Sequence, residues 1–146
     1  MKFIQKIASK DTYVVRHPVL RKGKPIETCH FDGDDLDTTD HFGLFVDKIM
    51  LGVVSIFQNK NAIFVVENQY QIRGMAVLDD FQQKGYGREL MLYCENYILS
   101  KKGNLIWFNA RESAIPFYQK LGFIVHGNPF LIVDIGSHYL MYKKIA

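Results

Sequence analysis

Two glycines stand one residue apart in Gln82-Gln83-Lys84-Gly85-Tyr86-Gly87, with Arg88 directly after them. A glycine removes the Cβ that would keep a ligand away from main-chain N–H groups. A helix starting at that point adds unpaired N–H groups and a partial positive end, which together suit a phosphate. Lys84 and Arg88 would add charge at the rim. A tight turn uses the same two glycines, so the residues alone leave both readings open. The dinucleotide fingerprint G-x-G-x-x-G is excluded because Leu90 holds the place of its third glycine, and the Walker loop has no match in the chain. Tyr118 is the next candidate. Ala114, Tyr118 and Leu121 recur at i, i+4 and i+7, which turns the phenol to the inward side of a short helix, where it is a core tyrosine or a hydroxyl in need of a partner.

The acidic stretch Cys29–His41 gathers Asp, Cys and His, but it does not spell a metal site. Counted from Asp32, Asp37 falls where a calcium loop needs glycine, and no paired Cys/His spacing is present for zinc. The expectation is a solvated loop without metal, in which Asp34, Asp35 and Asp37 attract a cationic amine.

These residues need elements to position them. KFIQKI reads as a short strand, followed by a helix through TYVVRHPVL with Ser9 or Asp11 as its cap and Pro18 bending or ending it. Arg21–Asp40 reads as a long loop with a short strand around ETCHF. HFGLFVD and MLGVVSIF are strands joined at Asp47-Lys48, and Tyr70–Leu78 is another. The run IFVV has no settled fate. After the glycines, Leu90, Cys94 and Tyr97 or Ile98 mark an amphipathic helix, which Gly103 ends behind Lys101 and Lys102. Cys94 then packs in the core. NLIWFN is a strand, and Ser113–Leu121 a helix with Ser113 as N-cap, Pro116 in its first turn and Gly122 as its stop. FIVHG and HYLMYKK are two more strands, with NPFLIVDIGS between them. Neighbouring strands with three inserted helices predict a mixed sheet with helices on its faces.

Composition narrows the function. The chain has 146 residues, 48% hydrophobic and 23% charged, as in an ordinary globular domain, so 1–146 is expected to form one domain. A net charge of +3, with no long basic run, argues against nucleic acid. No apolar stretch reaches the roughly 20 residues a membrane helix needs, and charge interrupts the N-terminus too early for a signal peptide. Cys29 and Cys94 are too few for a disulfide framework. A cytoplasmic protein without membrane or nucleic-acid partners is expected.

Gln82–Gly87 resembles the Q/R-x-x-G-x-G/A motif of the GNAT superfamily of acyl-CoA N-acyltransferases, in the same place between strand and helix. Asn109, Ala114, Phe117, Tyr118, Gly122 and Phe123 resemble its downstream N-x4-A-x2-F-Y-x3-G-F pattern. The likeness covers Tyr70 to Phe123 well and is looser from Met1 to Asn68. The resemblance implies an α+β fold with a mixed, mostly antiparallel sheet of about six or seven strands and helices on both faces. It implies an N-acetyltransferase that uses acetyl-CoA, needs no metal and acts on a small-molecule or peptide amine acceptor, with a homodimer as a family possibility. A module that binds acyl-CoA without catalysis is the alternative.

The resemblance also assigns places. The N–H groups of Gln83, Lys84, Gly85, Tyr86, Gly87 and Arg88, behind Gln82, would hold the cofactor diphosphate. The backbone of Met75, Ala76 and Val77 would pair with the pantetheine arm beside a bulge at Gly74, and Asn109 would hold the arm near its thiol end. Tyr118 would protonate the leaving thiolate. For the general base, Glu67, His138, Asp79 and a water chain all stay open, as does a structural role for His138. The stretch before His138 looks like the G-x-P-H segment of a small bacterial branch, with Ser137 in place of the proline.

Overall fold

The computed structural model describes residues 1–132 and 135–146. Seven strands form one sheet: β1 (Lys2–Ile7), β2 (Asp40–Val46), β3 (Ile49–Phe57), β4 (Gln69–Val77), β5 (Leu105–Arg111), β6 (Ile124–Ile132) and β7 (Gly136–Lys144). Their order across the sheet is β1-β2-β3-β4-β5-β7-β6. Every neighbouring pair is antiparallel except β4 with β5, which is parallel. Three helices join it: α1 (Tyr13–Leu20), α2 (Tyr86–Ser100) and α3 (Ile115–Lys120). The fold is α+β, as expected.

Alternation along the strands divides the core between two faces. Tyr70, Ile72 and Val77 of β4 and Ile106, Phe108 and Ala110 of β5 bury against Leu90, Cys94 and Ile98 of α2. On the other face Val53 and Ala76 pack against Val15 of α1. Cys94 is fully buried in the first cluster, where burial raises its thiol pKa, so its role is packing.

The β2–β3 hairpin turns at Asp47 and Lys48, both with positive φ, the geometry of a two-residue turn matched to strand twist. Elsewhere the chain departs from expectation. α1 runs two residues past Pro18, with Thr12 as its N-cap. The residues around ETCHF form a 3-10 turn, Ile26–Cys29, and no strand. Lys102, not Gly103, takes the left-handed position ending α2 (φ 65°), while a Cβ on Gly103 would meet Ile98 Cγ2 and Tyr70. α3 begins at Ile115 behind Ala114 rather than at Ser113. The segment expected to separate the last two strands contributes Asn128–Ile132 to β6 and Gly136 and Ser137 to β7; Val133 and Asp134 lie outside the described residues.

The acidic loop is not solvated throughout. Asp34 is 2% exposed and takes Arg16, itself fully buried, through Nη1 at 2.6 Å and Nη2 at 3.2 Å. Arg16 also donates to the Cys29 carbonyl at 2.7 Å and to Ser55 Oγ at 2.9 Å. Ser55, having accepted from Arg16, can donate to His41 Nδ1 at 2.6 Å, leaving His41 Nε2 to donate to the Asp34 carbonyl at 2.9 Å. One proton assignment satisfies the chain of bonds, and it ties α1, the loop, β2 and β3 together. Burial pushes the Asp34 carboxyl pKa up, but hydrogen bonds from Arg16 and the Phe31 N–H, with the Arg16 charge, bring it below its ordinary value. Asp34 is therefore a buried partner of Arg16, and the expectation that it draws in a cationic amine is corrected.

Candidate functional site

β4 and β5 pair only at Gln69–Leu105, Tyr70–Ile106 and Gln71–Trp107. Beyond these the two strands have no ladder, although β5 stays paired to β7 as far as Arg111 and β4 to β3 as far as Val77. Two edges of main-chain groups thus face each other unpaired, in the middle of a sheet.

A bulge contributes to the parting. Val53 pairs with Ala76 and Ser55 with Arg73, so Val54 alone opposes Gly74 and Met75. Gly74 has φ +66°, and a Cβ there would lie 3.0 Å from Phe31 Cε2 and 3.2 Å from Arg16 Nε. Glycine is needed both for the dihedral and for the space.

The opening is a cavity of about 400 Å³. Met75 on β4, Asn109 on β5, Tyr118 on α3 and His138 on β7 all line it. Tyr118 packs its ring against Phe108 (centroids 4.4 Å apart) and Phe117 (5.0 Å), and its hydroxyl has no hydrogen-bond partner among the described residues. Burial pushes its pKa up to about 12, with a smaller contribution from Cys94. The phenol therefore keeps its proton at any physiological pH. His138 is 6% exposed, and its Nδ1 lies 2.9 Å from the Gly136 carbonyl. A carbonyl only accepts, so Nδ1 carries a proton and Nε2 is the ring nitrogen left able to accept one.

The glycine loop stands at the start of α2. Gln83 (φ 62°) and Gly85 (φ +87°) are both left-handed, and such alternation turns successive N–H groups toward one concavity. The N–H groups of Gln83 through Arg88 find no acceptor among the described residues; the first to do so is Glu89, bonded to the Gly85 carbonyl at 3.1 Å. A Cβ at Gly85 would meet nothing within 4 Å, so the space above it is open. Gln82 turns its amide inward, donating to the Val77 carbonyl at 2.9 Å and to Asp79 at 3.2 Å, which pins the loop to the end of β4. Lys84 and Arg88 are exposed at the rim. The loop meets the cavity through Gly87, where a Cβ would lie 3.4 Å from Phe117 and 3.6 Å from Met75.

Glu67 is not brought to this place. It lies before β4, at the end where β4 and β5 are still paired, and lines a separate cavity with Lys60, its exposed ion-pair partner at 3.4 Å. Asp79 is exposed behind β4 and occupied by Gln82. Ala76 and Val77 bury their side chains and contribute main chain alone. Among the described residues no group of His, Cys, Asp and Glu is placed to hold a metal. Among the described residues no helix is long and apolar enough to cross a membrane.

The cavity also has walls that a search for motifs passes over: Arg21, Phe31, Arg73 and Arg111. The signal available in the sequence was Arg73, a charge inside an otherwise apolar-leaning strand and directly before the bulge glycine.

A sequence model of the Acetyltransferase (GNAT) family matches residues 4–123. The chain is 31% identical over 142 residues to YitI of Bacillus subtilis (strain 168), an uncharacterized N-acetyltransferase, with 97% of this chain and 95% of that protein covered. Its fold is similar to that of the ribosomal-protein-S18-alanine N-acetyltransferase from Escherichia coli (TM-score 0.78, 20% identity, 100% and 95% of the two chains covered). It is likewise similar to an aminoglycoside 6'-N-acetyltransferase complexed with coenzyme A (TM-score 0.77, 14% identity, 99% and 97% covered).

Proposed function

The chain belongs to the acetyltransferase (GNAT) family, whose members carry an acetyl group from acetyl-CoA to an amine, and we propose that it does so in the cleft between β4 and β5. The observation that carries this reading is the three-pair contact of β4 with β5, beyond which a cavity opens beside the glycine loop. The residues fit the co-substrate: unpaired N–H groups of Gln83–Arg88 suit a diphosphate, and the open edge of β4 around Met75, Ala76 and Val77 suits an amide-bearing arm. Asn109 stands at the far side of the cleft, near where the thiol end would lie. Acetyl-CoA supplies the thioester at whose carbonyl the amine attacks.

The chain's own groups then have three tasks. A main-chain N–H of the Met75–Val77 stretch polarises the carbonyl without reorganising. His138, through Nε2 or an intervening water, takes the proton that the attacking nitrogen must lose. Tyr118 donates to the departing sulfur. Its pKa of about 12 decides how. A thiol has a pKa of about 8.5, so outright transfer from this phenol would be uphill by about 5 kcal/mol. Tyr118 therefore stabilises the sulfur by hydrogen bonding, and completes the transfer only as the proton that His138 took from nitrogen is returned, through water, to the phenol. The net movement is one proton from nitrogen to sulfur.

The test is release of free thiol from acetyl-CoA across a panel of amines, with native protein and with His138→Gln. Amine-dependent release, reduced about a hundredfold in the variant, supports the assignment. Binding of acetyl-CoA with no turnover of any amine would show a binding module instead.

A further inference from the structure

We infer that the acceptor is a primary amine bearing an oxyanion of its own, a carboxylate or a phosphate, received by Arg21, Arg73 and Arg111 on the α1 side of the cavity. The inference rests on the acetyl-transfer reading above and names the class of acceptor.

Three arginines line the cavity, and among the described residues no Asp or Glu does. None of the three is paired with a carboxylate among the described residues. Arg21 spends one N–H on the Leu20 carbonyl at 3.0 Å, and Arg73 one on the Asp32 carbonyl at 3.3 Å; no other acceptor among the described residues takes their remaining donors. Their positions are organised by one ring. Phe31 has Arg16 at 3.9 Å, Arg73 at 4.9 Å and Arg21 at 5.2 Å from its centroid. Arg16 is consumed by Asp34 and serves as the floor, while Arg21 and Arg73 reach the cavity wall. Burial lowers the pKa of Arg21, and the positive charge of Arg111 lowers it further, so those two cations sense one another. Burial is also the main cause lowering Arg73, with Arg16 and Arg21 adding to it against the pull of Asp34 and Asp32. Positive charge gathered on a concave wall, with no carboxylate among the described residues against it, is relieved by an anion, and a guanidinium fork matches the paired oxygens of a carboxylate or phosphate.

The cofactor's phosphates are a different matter. On β5, Phe108 and Ala110 turn to the face of α2, whereas Arg111 shares the parity of Leu105 and Trp107, which pack on the opposite face. Arg73 reaches Phe31 and Phe57, on the α1 side with the Arg16 network. The glycine loop heads α2. The arginines thus border the amine's end of the cleft. Leu20, Ile132 and Ile135 add apolar surface to the same cavity, which suits a small amino acid better than a polyamine.

The experiment uses the full chain with paired probes: L-phenylalanine against L-phenylalaninamide, O-phosphoethanolamine against ethanolamine, and spermidine as a polycation. Acetyl transfer is followed by thiol release, and binding by calorimetry in the presence of coenzyme A. At least one oxyanion-bearing probe is expected to exceed its neutral partner about tenfold in kcat/KM, and which pair does so separates carboxylate from phosphate. Arg111→Gln and Arg21→Gln should bring that ratio toward unity and leave the KM for acetyl-CoA within about twofold. Arg111 is exposed, so its variant tests the idea without threatening the fold. Equal or better use of the neutral amines or spermidine overturns the inference, as does a rise in acetyl-CoA KM that leaves the ratio unchanged. If no probe is acetylated, the acetyl-transfer reading fails while calorimetry still decides here. Arginine-dependent binding of L-phenylalanine or O-phosphoethanolamine sustains the inference, and its absence refutes it.

Discussion

Replacing Tyr118 by Phe deletes one oxygen and leaves the aromatic packing with Phe108, Phe117 and Phe123 in place. The hydroxyl has no protein partner among the described residues, so no buried donor or acceptor is orphaned by its loss. Stability near neutral pH should therefore stay within about 0.5 kcal/mol of native. Activity should not. Removing a positioned proton donor costs about a hundredfold in kcat, equivalent to about 2.7 kcal/mol of barrier, while the KM for acetyl-CoA should barely move. A second readout follows from the pKa, which burial raises from 10.0 to about 12 in the fold. Below pH 10 neither the folded nor the unfolded chain ionises this phenol, and its contribution to stability is whole. As pH climbs from about 10 to 12 the unfolded chain ionises first and the contribution, at most about 2–3 kcal/mol, is lost. Tyr118→Phe should remove that part of the alkaline destabilisation. Tyr97, also pushed up to about 12 by burial and by Asp40, is common to both proteins and cancels in the comparison. The assays are thiol release under saturating acetyl-CoA and urea unfolding at neutral and alkaline pH. A kcat loss under about threefold would refute the donor role. A loss accompanied by a fall in neutral-pH stability would assign Tyr118 to packing instead.

Asp34→Asn leaves Arg16 buried with its charge unpaired and should destabilise the protein by about 3–5 kcal/mol in urea unfolding at pH 7. Because the fold lowers the Asp34 pKa, its contribution is present above the unfolded value of 3.8 and vanishes as pH falls below it, so native and variant stabilities should converge in acid. Gly85→Ala sets a methyl group in open space at φ +87°, where the strain is about 1–2 kcal/mol; the KM for acetyl-CoA should rise about tenfold, and an unchanged KM would remove the loop from the cofactor site. Glu67→Gln, remote from the cavity and exposed, should keep kcat/KM within about twofold of native across pH; a lost pH limb would restore it as the base.

The parts of this molecule that a sequence exposes are those whose cause is local. Leu90, Cys94 and Ile98 recur at helical spacing because one side of α2 must be buried, and Gly85 is glycine because its own φ requires it. β2 and β3 are apolar runs that turn where two residues accept positive φ. Gly103 misled because a glycine after a helix is ordinarily its left-handed stop, whereas here Ile98 and Tyr70 crowd it and Lys102 takes the turn. Tyr118, Asn109 and His138, which line one cavity, were singled out through likeness to a family; periodicity alone gave Tyr118 an inward face and no role.

Charge was the least legible property, and the reason is physical. Counted along the chain, Asp32, Asp34, Asp35 and Asp37 make an acidic loop that suits a cationic acceptor. Folding reverses the sign. Arg16, on α1 and 18 residues away in the chain, neutralises Asp34 inside the core, and the ring of Phe31 collects Arg21 and Arg73 at the cavity. Arg111 arrives from β5 to complete the wall. The field at a site depends on which charges are left without a partner after burial, and partnering is a tertiary property. Each of these arginines is ordinary where it stands in the sequence; only the parting of β4 from β5 gives them a common space in which their charges add.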